Sequence, residues 1–213
     1  FAAELADWQV HANKADTSEF NILYKGQVLT SVNWDLIGRH NAENALAVIA
    51  AAYQCGVDPH TSATALASFK SVKRRLQRLA VIDGITVYDD FAHHPTAIRV
   101  TLDALRASVG TDRIIAVFEP RSNTMKLGVY KDTLADALAE ADIIVACQPA
   151  KMAWDLNDSL GMLADSLHVF VETGLIIDYL LTQLLPGDHV LIMSNGSFDS
   201  IHARLIKRLQ DRQ

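Results

Sequence analysis

Cysteine is scarce in this sequence of 213 residues: only Cys55 and Cys147 occur, each inside an apolar run. Neither belongs to a CxxC pair, which argues against a zinc site or a redox dithiol, and both read as buried free thiols. Basic runs are short, the longest being Lys73-Arg74-Arg75, and Asp+Glu outnumber Lys+Arg by 25 to 19 for a net charge of −6. That balance argues against a nucleic-acid partner. No apolar stretch approaches the ~18–20 residues that span a bilayer, so no membrane partner is expected. No secretory leader is expected, the expected compartment is the cytoplasm, and the Asn195-Gly196-Ser197 sequon carries no weight there. No strand is followed by GxGxxG, and GxxxxGK[ST] occurs nowhere, so a dinucleotide fingerprint and a P-loop are both missing. The first residue is Phe1 rather than Met, so the sequence reads as a piece of something longer.

What is present is an apolar half of the chain, enough for a sizeable core. Residues 1–35 read as a hairpin around Lys25-Gly26. A helix is expected from about Asn41 to Tyr53, where Ala42, Ala45, Leu46 and Ile49 keep helical spacing, and a second from Thr61 to Phe69. The charged stretch Lys70 to Arg78 reads as a linker. Beyond it, strands alternate with helices. The strands are Ile85–Tyr88, Ile114–Phe118, Ile143–Cys147, His168–Val171 and His189–Met193. The helices are Pro95–Arg106, Lys131–Glu140, Asp155–Ala164, Gly174–Leu185 and Ser200–Leu209. Near-continuous apolar strands in this alternation predict an α/β fold with a doubly wound, mostly parallel sheet.

In such a sheet, ligands bind beyond the carboxyl ends of the strands. That rule selects Asp89-Asp90-Phe91-Ala92-His93-His94, then Glu119-Pro120-Arg121-Ser122-Asn123, Gln148-Pro149-Ala150-Lys151, Glu172-Thr173 and Ser194-Asn195-Gly196-Ser197. His94 could cap the helix starting at Pro95, ligate a metal, or meet a polar ligand. Arg121 is either a surface arginine or a clamp for a substrate carboxylate, and Lys126 is a weaker candidate of the same kind. Asn195-Gly196 could expose amides to an anion or merely turn the chain. In the first part, Asn41 could cap its helix, and Asn44 could pair with the edge of adenine. Trp8, Trp34 and Trp154 read as core or interface anchors.

Three blocks in order, G-R-H-N-x-x-N-A-L-A (Gly38–Ala47), V-K-R-R (Val72–Arg75) and D-D-F-A-H-H-P-T-A-I (Asp89–Ile98), resemble the Mur ligase family of ATP-dependent amide ligases in peptidoglycan synthesis. The resemblance implies that residues 1–70 close a central ATP-binding domain and residues 71–213 form a Rossmann-like carboxy-terminal domain. It places the P-loop, the Mg²⁺ ligands and the UDP-sugar domain upstream of Phe1, so that the remainder of its own chain is a partner. F-E-P-R-S-N-T-M-K-L-G (Phe118–Gly128) and M-S-N-G-S-F (Met193–Phe198) are most similar to the branch that joins UDP-N-acetylmuramate to the murein tripeptide L-alanyl-γ-D-glutamyl-meso-diaminopimelate in wall recycling. The branch that adds L-alanine carries Q-P-H-R-Y-T-R at the second strand end. Arg121, Ser122 and Met125 stand here in place of its His and two Arg, which favours a larger acceptor.

By the same resemblance, His40 and Asn44, with Asn41 beside them, would hold the adenine of ATP. Arg75 would reach its phosphates or ribose, and Asp90 the ribose. His93, His94, Arg121, Asn123, Lys126 and Asn195 would line the acceptor-peptide site. Arg75, Asp90 and His93 would take part in the chemistry, His93 as a proton acceptor. No metal ligand is expected within the sequence itself. The stretch 70–78 would act as a hinge that closes the site against water. Two other readings stand beside this one: an L-alanine-adding ligase, and a binding module for peptide or nucleotide without turnover.

Overall fold

The computed structural model describes residues 6–149 and 151–212. Ala150, the third residue of the cluster after the third strand, lies outside the described residues. The chain forms two compact units, one comprising residues up to 72 with 103–110, the other residues 73–102 and those from 111 on.

In the first unit, β1 (Trp8–Ala12), β2 (Glu19–Tyr24) and β3 (Gln27–Asn33) make an antiparallel meander. Lys25 and Gly26 turn the β2–β3 hairpin with φ of 51° and 79°. Such a mirror-image turn matches the twist of the strands it joins. Helix α1 (Arg39–Gln54) buries Ala42, Ala45, Leu46 and Ile49 as its spacing predicts. Helix α2 (Pro59–Ala67) starts two residues earlier than expected. Asp58 caps it, accepting from the Thr61 amide at 2.9 Å, and Pro59 fits the first helical position, where no N–H is needed. These helices pack on Phe20, Ile22, Val32 and Trp34.

From residue 73 the chain runs through β4 (Gln77–Ile82), β5 (Ile85–Asp90), α3 (Pro95–Val109), β6 (Ile114–Phe118), α4 (Asn123–Lys126) and α5 (Lys131–Ala137). It continues through β7 (Ile143–Cys147), α6 (Leu156–Ser159), β8 (Leu167–Phe170), α7 (Thr173–Gln183), β9 (His189–Met193) and α8 (Ile201–Gln210). The six strands lie in the order β4-β5-β9-β6-β7-β8. All neighbours are parallel except β4 and β5, so the fold is the expected α/β type with a mostly parallel sheet. Helices α7 and α8 cover one face, where Ile176, Leu180, Ile201 and Leu205 meet Val87, Ile115, Val117, Val190 and Ile192. The alternate residues Ile114, Ala116, Phe118, Leu191 and Met193 are buried too. Burial on both faces is why these strands carry no polar alternation; each large side chain so buried contributes roughly 1.5–3 kcal/mol.

Several expectations need correction. Cys55, expected to be buried, is exposed, while Cys147 is buried. The stretch 70–78 is not all linker, because Gln77 and Arg78 begin the edge strand β4. The expected helix Asp155–Ala164 is broken into α6 and a 3-10 turn, Gly161–Leu163. Asp155 starts α6 by accepting from the Asn157 amide at 2.7 Å, and Gly161, the poorest helix former in the stretch, lies at the break. The expected strand His168–Val171 runs from Leu167 to Phe170. Among the described residues, no helix is long and apolar enough to cross a membrane.

Candidate active site

Asp90, Met193 and Phe118 are register partners at the carboxyl ends of β5, β9 and β6. The segments after them, 91–94, 194–196 and 119–121, therefore emerge side by side. The central crossover brings three chain segments distant in sequence to one edge.

Asp90 is 3% exposed. Its Oδ2 accepts from the Leu76 amide at 2.6 Å and its Oδ1 from the Ala92 amide at 2.7 Å. Burial raises its pKa above the usual aspartate value; the two amides and the charge of Arg75 offset this only in part. Asp89 shifts the other way. Burial works against its ionisation, but a hydrogen bond to His202, the charge of His202 and that of Arg74 outweigh it. His202 Nε2 lies 3.1 Å and Arg74 Nε 3.4 Å from Asp89 Oδ1. Asp89 is thus paired rather than solvated.

The two histidines are held in opposite tautomers. His93 Nδ1 is 2.8 Å from the Phe91 carbonyl, which can only accept, so Nδ1 carries the proton and neutral His93 presents a lone pair at Nε2. His94 Nδ1 accepts from the Thr96 amide at 3.2 Å, which puts its proton on Nε2. His94 therefore caps the first turn of α3, and its ring meets that of Tyr130 edge-on at 4.2 Å.

Arg74 and Arg75 divide the V-K-R-R motif between them. Arg74, at φ 62°, donates through Nη2 to the carbonyls of Ser194 and, at 3.1 Å, Gly196, and its cation lies over Phe91. It braces the loop after β9 against the end of β5. Arg75 is exposed, and its charge acts on Asp90.

At the end of β6, Glu119 Oε2 accepts from Ser194 Oγ at 3.0 Å, and the same hydroxyl accepts from the Gly196 amide at 3.0 Å. Arg121 Nη1 lies 3.9 Å from Glu119 Oε1, with half of the Arg121 side chain open to solvent. Asn195 Oδ1 is buried with no hydrogen-bond partner among the described residues. Asn123 and Lys126 sit on α4, whose amide of Met125 is capped by Ser122 Oγ at 3.3 Å. Trp154 donates to the Met125 carbonyl at 2.7 Å, and Gln148 holds both the Trp154 carbonyl and the Leu156 amide.

Arg75, Asp90, His93, His94, Arg121, Asn123, Lys126 and Asn195 thus belong to the second unit. Asn41 and Asn44 lie on α1 of the first: Asn44 is exposed, and Asn41 sits inside the first turn, donating to the Ile37 carbonyl at 2.8 Å rather than capping. His40, on the same turn, is half-buried. Glu119 and Ser194 fall in the clusters that the strand-end rule selects and Arg74 in the V-K-R-R block, but the sequence assigns none of the three a role; His202 lies on α8, where nothing in its neighbourhood marks it. Among the described residues, no group of three or more His, Cys, Asp or Glu could hold a metal.

Residues 74–196 match the family model described as Mur ligase, glutamate ligase domain. The UDP-N-acetylmuramate–L-alanyl-γ-D-glutamyl-meso-2,6-diaminoheptandioate ligases of Escherichia coli (strain K12) and Haemophilus influenzae are 45% and 42% identical over 97% and 96% of this chain. The match covers 45% of either relative, so the chain spans about half of their length. The crystal structure of a murein peptide ligase from Psychrobacter arcticus matches with a TM-score of 0.69 and 38% identity, over 97% of this chain and 45% of that one. The family model runs from Arg74 to Gly196, the two residues whose hydrogen bond closes the edge just described, and the chain belongs to the Mur ligase family.

Proposed function

We propose that this chain is part of a cytoplasmic, ATP-dependent ligase that joins UDP-N-acetylmuramate to the murein tripeptide through an acyl phosphate, in wall recycling. The observation that carries the reading is the corner formed by Glu119, Arg121 and Ser194 to Gly196, which presents a half-open guanidinium at the carboxyl edge of the sheet. The identity to ligases of that name over nearly the whole chain supports it.

ATP supplies a phosphoryl group that turns the muramoyl carboxylate into a good leaving system, from which phosphate departs when the peptide amine attacks. The family's ATP is accompanied by Mg²⁺, and the described residues bring together no ligand set for it. Arg121 receives a carboxylate of the peptide in a bidentate grip. Asn123 and Lys126 on α4 and Asn195 after β9 serve the peptide beside Arg121, although the Asn195 Oδ1 itself is closed off from solvent. His93 Nε2 takes the proton that the attacking amine loses. Arg75 meets the charge of the phosphates, for which an exposed cation suits better than a braced one. Asp90 is engaged by two backbone amides, so its effect on the ribose runs through holding Leu76, and with it Arg75, in place. His40 and Asn44 serve the adenine.

The L-alanine-adding alternative is disfavoured at particular positions. Where that branch carries two arginines, Ser122 here caps α4 and Met125 is buried in the core. A coupling assay with the full-length ligase decides between them: turnover with the tripeptide and little with L-alanine is expected, and efficient turnover with free L-alanine would overturn the reading. The chain alone is expected to bind ligand without turnover, which calorimetry with tripeptide and with ATP measures.

A further inference from the structure

We infer that Gly196 is a positioning residue for Arg121, and that its missing side chain is the space in which the guanidinium lies. A Cβ built on Gly196 would come within 2.6 Å of Arg121 Cδ and 2.8 Å of both Nε and Nη1. Gly196 is not among the glycines with positive φ, so its backbone conformation suits any residue. The glycine is needed for room, not for conformational freedom.

The loop cannot easily yield that room by moving. The Gly196 amide donates to Ser194 Oγ at 3.0 Å, and its carbonyl accepts from Arg74 Nη2 at 3.1 Å. Ser194 is fully buried and tied to Glu119 Oε2. On the other side of the contact stands the outer half of a flexible side chain, its tip held, among the described residues, by the 3.9 Å approach to Glu119. Of the two partners, Arg121 is the one that gives way. A methyl group at 196 therefore swings the guanidinium out of the corner while leaving strands, loop and brace in place. The consequence for peptide recognition rests on the reading of Arg121 as the carboxylate clamp.

The test compares Gly196→Ala, Arg121→Ala and the double variant in the full-length ligase. Gly196→Ala is expected to raise the tripeptide KM about tenfold, with the KM for ATP and the melting temperature unchanged. The double variant is expected to match Arg121→Ala alone, because the methyl group has nothing left to displace. A crystal structure of Gly196→Ala should show the guanidinium moved and the 194–196 backbone unmoved. Wild-type tripeptide KM in Gly196→Ala beside an impaired Arg121→Ala would overturn the inference. So would multiplicative losses in the double variant, or a loop displaced beneath an unmoved Arg121. If Arg121→Ala leaves the tripeptide KM unchanged, the clamp reading fails instead. The position of the guanidinium in the Gly196→Ala crystal then decides the inference by itself.

Discussion

The carboxyl edge of the six-stranded sheet has two halves built on different principles. Across β5, β9 and β6, the loops are tied by charged side chains: Arg74 to Asp89 and two carbonyls, Asp90 to two amides, and Glu119 to Ser194. Across β6 and β7, they are tied by neutral groups: Trp154 to the Met125 carbonyl, Gln148 to the 154–156 backbone, and the Ala153 amide to the Lys126 carbonyl. The second half leaves Leu127 and Val129 exposed at 71% and 61%. Charges held close to backbone cost desolvation and make sense where a charged ligand must be met in fixed geometry; neutral ties suffice where a loop only needs a shape.

The largest expected effect lies in the charged half. Arg121→Ala in the full-length ligase should raise the tripeptide KM about thirtyfold, near 2 kcal/mol. That is the low end for a covered charge pair, because the free side chain is half open to water. The KM for ATP should not move, and an equal loss for both substrates would erase the proposed division of labour. Next comes the contrast between neighbours. Arg74→Ala should lower the unfolding free energy of this chain by roughly 2–4 kcal/mol in urea titration, since it strands two carbonyls and leaves Asp89 with His202 alone of its two cationic partners. Arg75→Ala should leave that stability within about 0.5 kcal/mol, as for other exposed residues, and cut turnover instead. Equal stability losses would mean that the two arginines do not differ in role.

That contrast also marks what a sequence can tell. The strands β6, β7 and β9 were legible to the residue, because burial on both faces leaves an uninterrupted apolar run. The edge strand β4 was not: its charged residues hid it, although Asp83-Gly84 between Ile82 and Ile85 is a hairpin signal, and both residues have positive φ, 49° and 78°. The rule that ligands gather beyond strand ends selected Asp90, His93, His94, Arg121, Asn123 and Asn195, all of which lie in the second unit, but it could not divide labour among neighbours. Asp89 and Asp90 look alike in sequence, yet one faces His202 and Arg74 while the other is closed off by amides. Arg74 and Arg75 are separated by a left-handed φ that no pattern announces. His202 is visible only once α8 is packed beside β5.

In the neutral half the effects should be smaller. Trp154→Phe removes the indole donor to Met125 and keeps the ring against Gly128, so a loss of about 1 kcal/mol is expected, again by urea titration. A loss as large as that of Arg74→Ala would show that this half is no mere shape.

The finest test returns to Asp89 and uses pH. Its pKa is lowered in the folded protein, so its partners stabilise the fold fully above the ordinary aspartate value of about 3.9. That contribution is lost as pH falls from there through the folded pKa, where the folded carboxylate itself takes up a proton. Asp90 has the opposite sign: its raised pKa makes the folded state bind a proton more readily than the unfolded chain, which favours the fold on the acid side. The two neighbours therefore act with opposite sign on adjoining sides of the ordinary aspartate value, Asp89 below it and Asp90 above it. Asp89→Asn removes one arm of the opposition. Its deficit against wild type should be greatest near pH 7 and shrink on acidification to pH 3. A deficit that stays constant over that range would mean that Asp89 contributes shape and not charge, and would move it from the charged half of the edge to the neutral one.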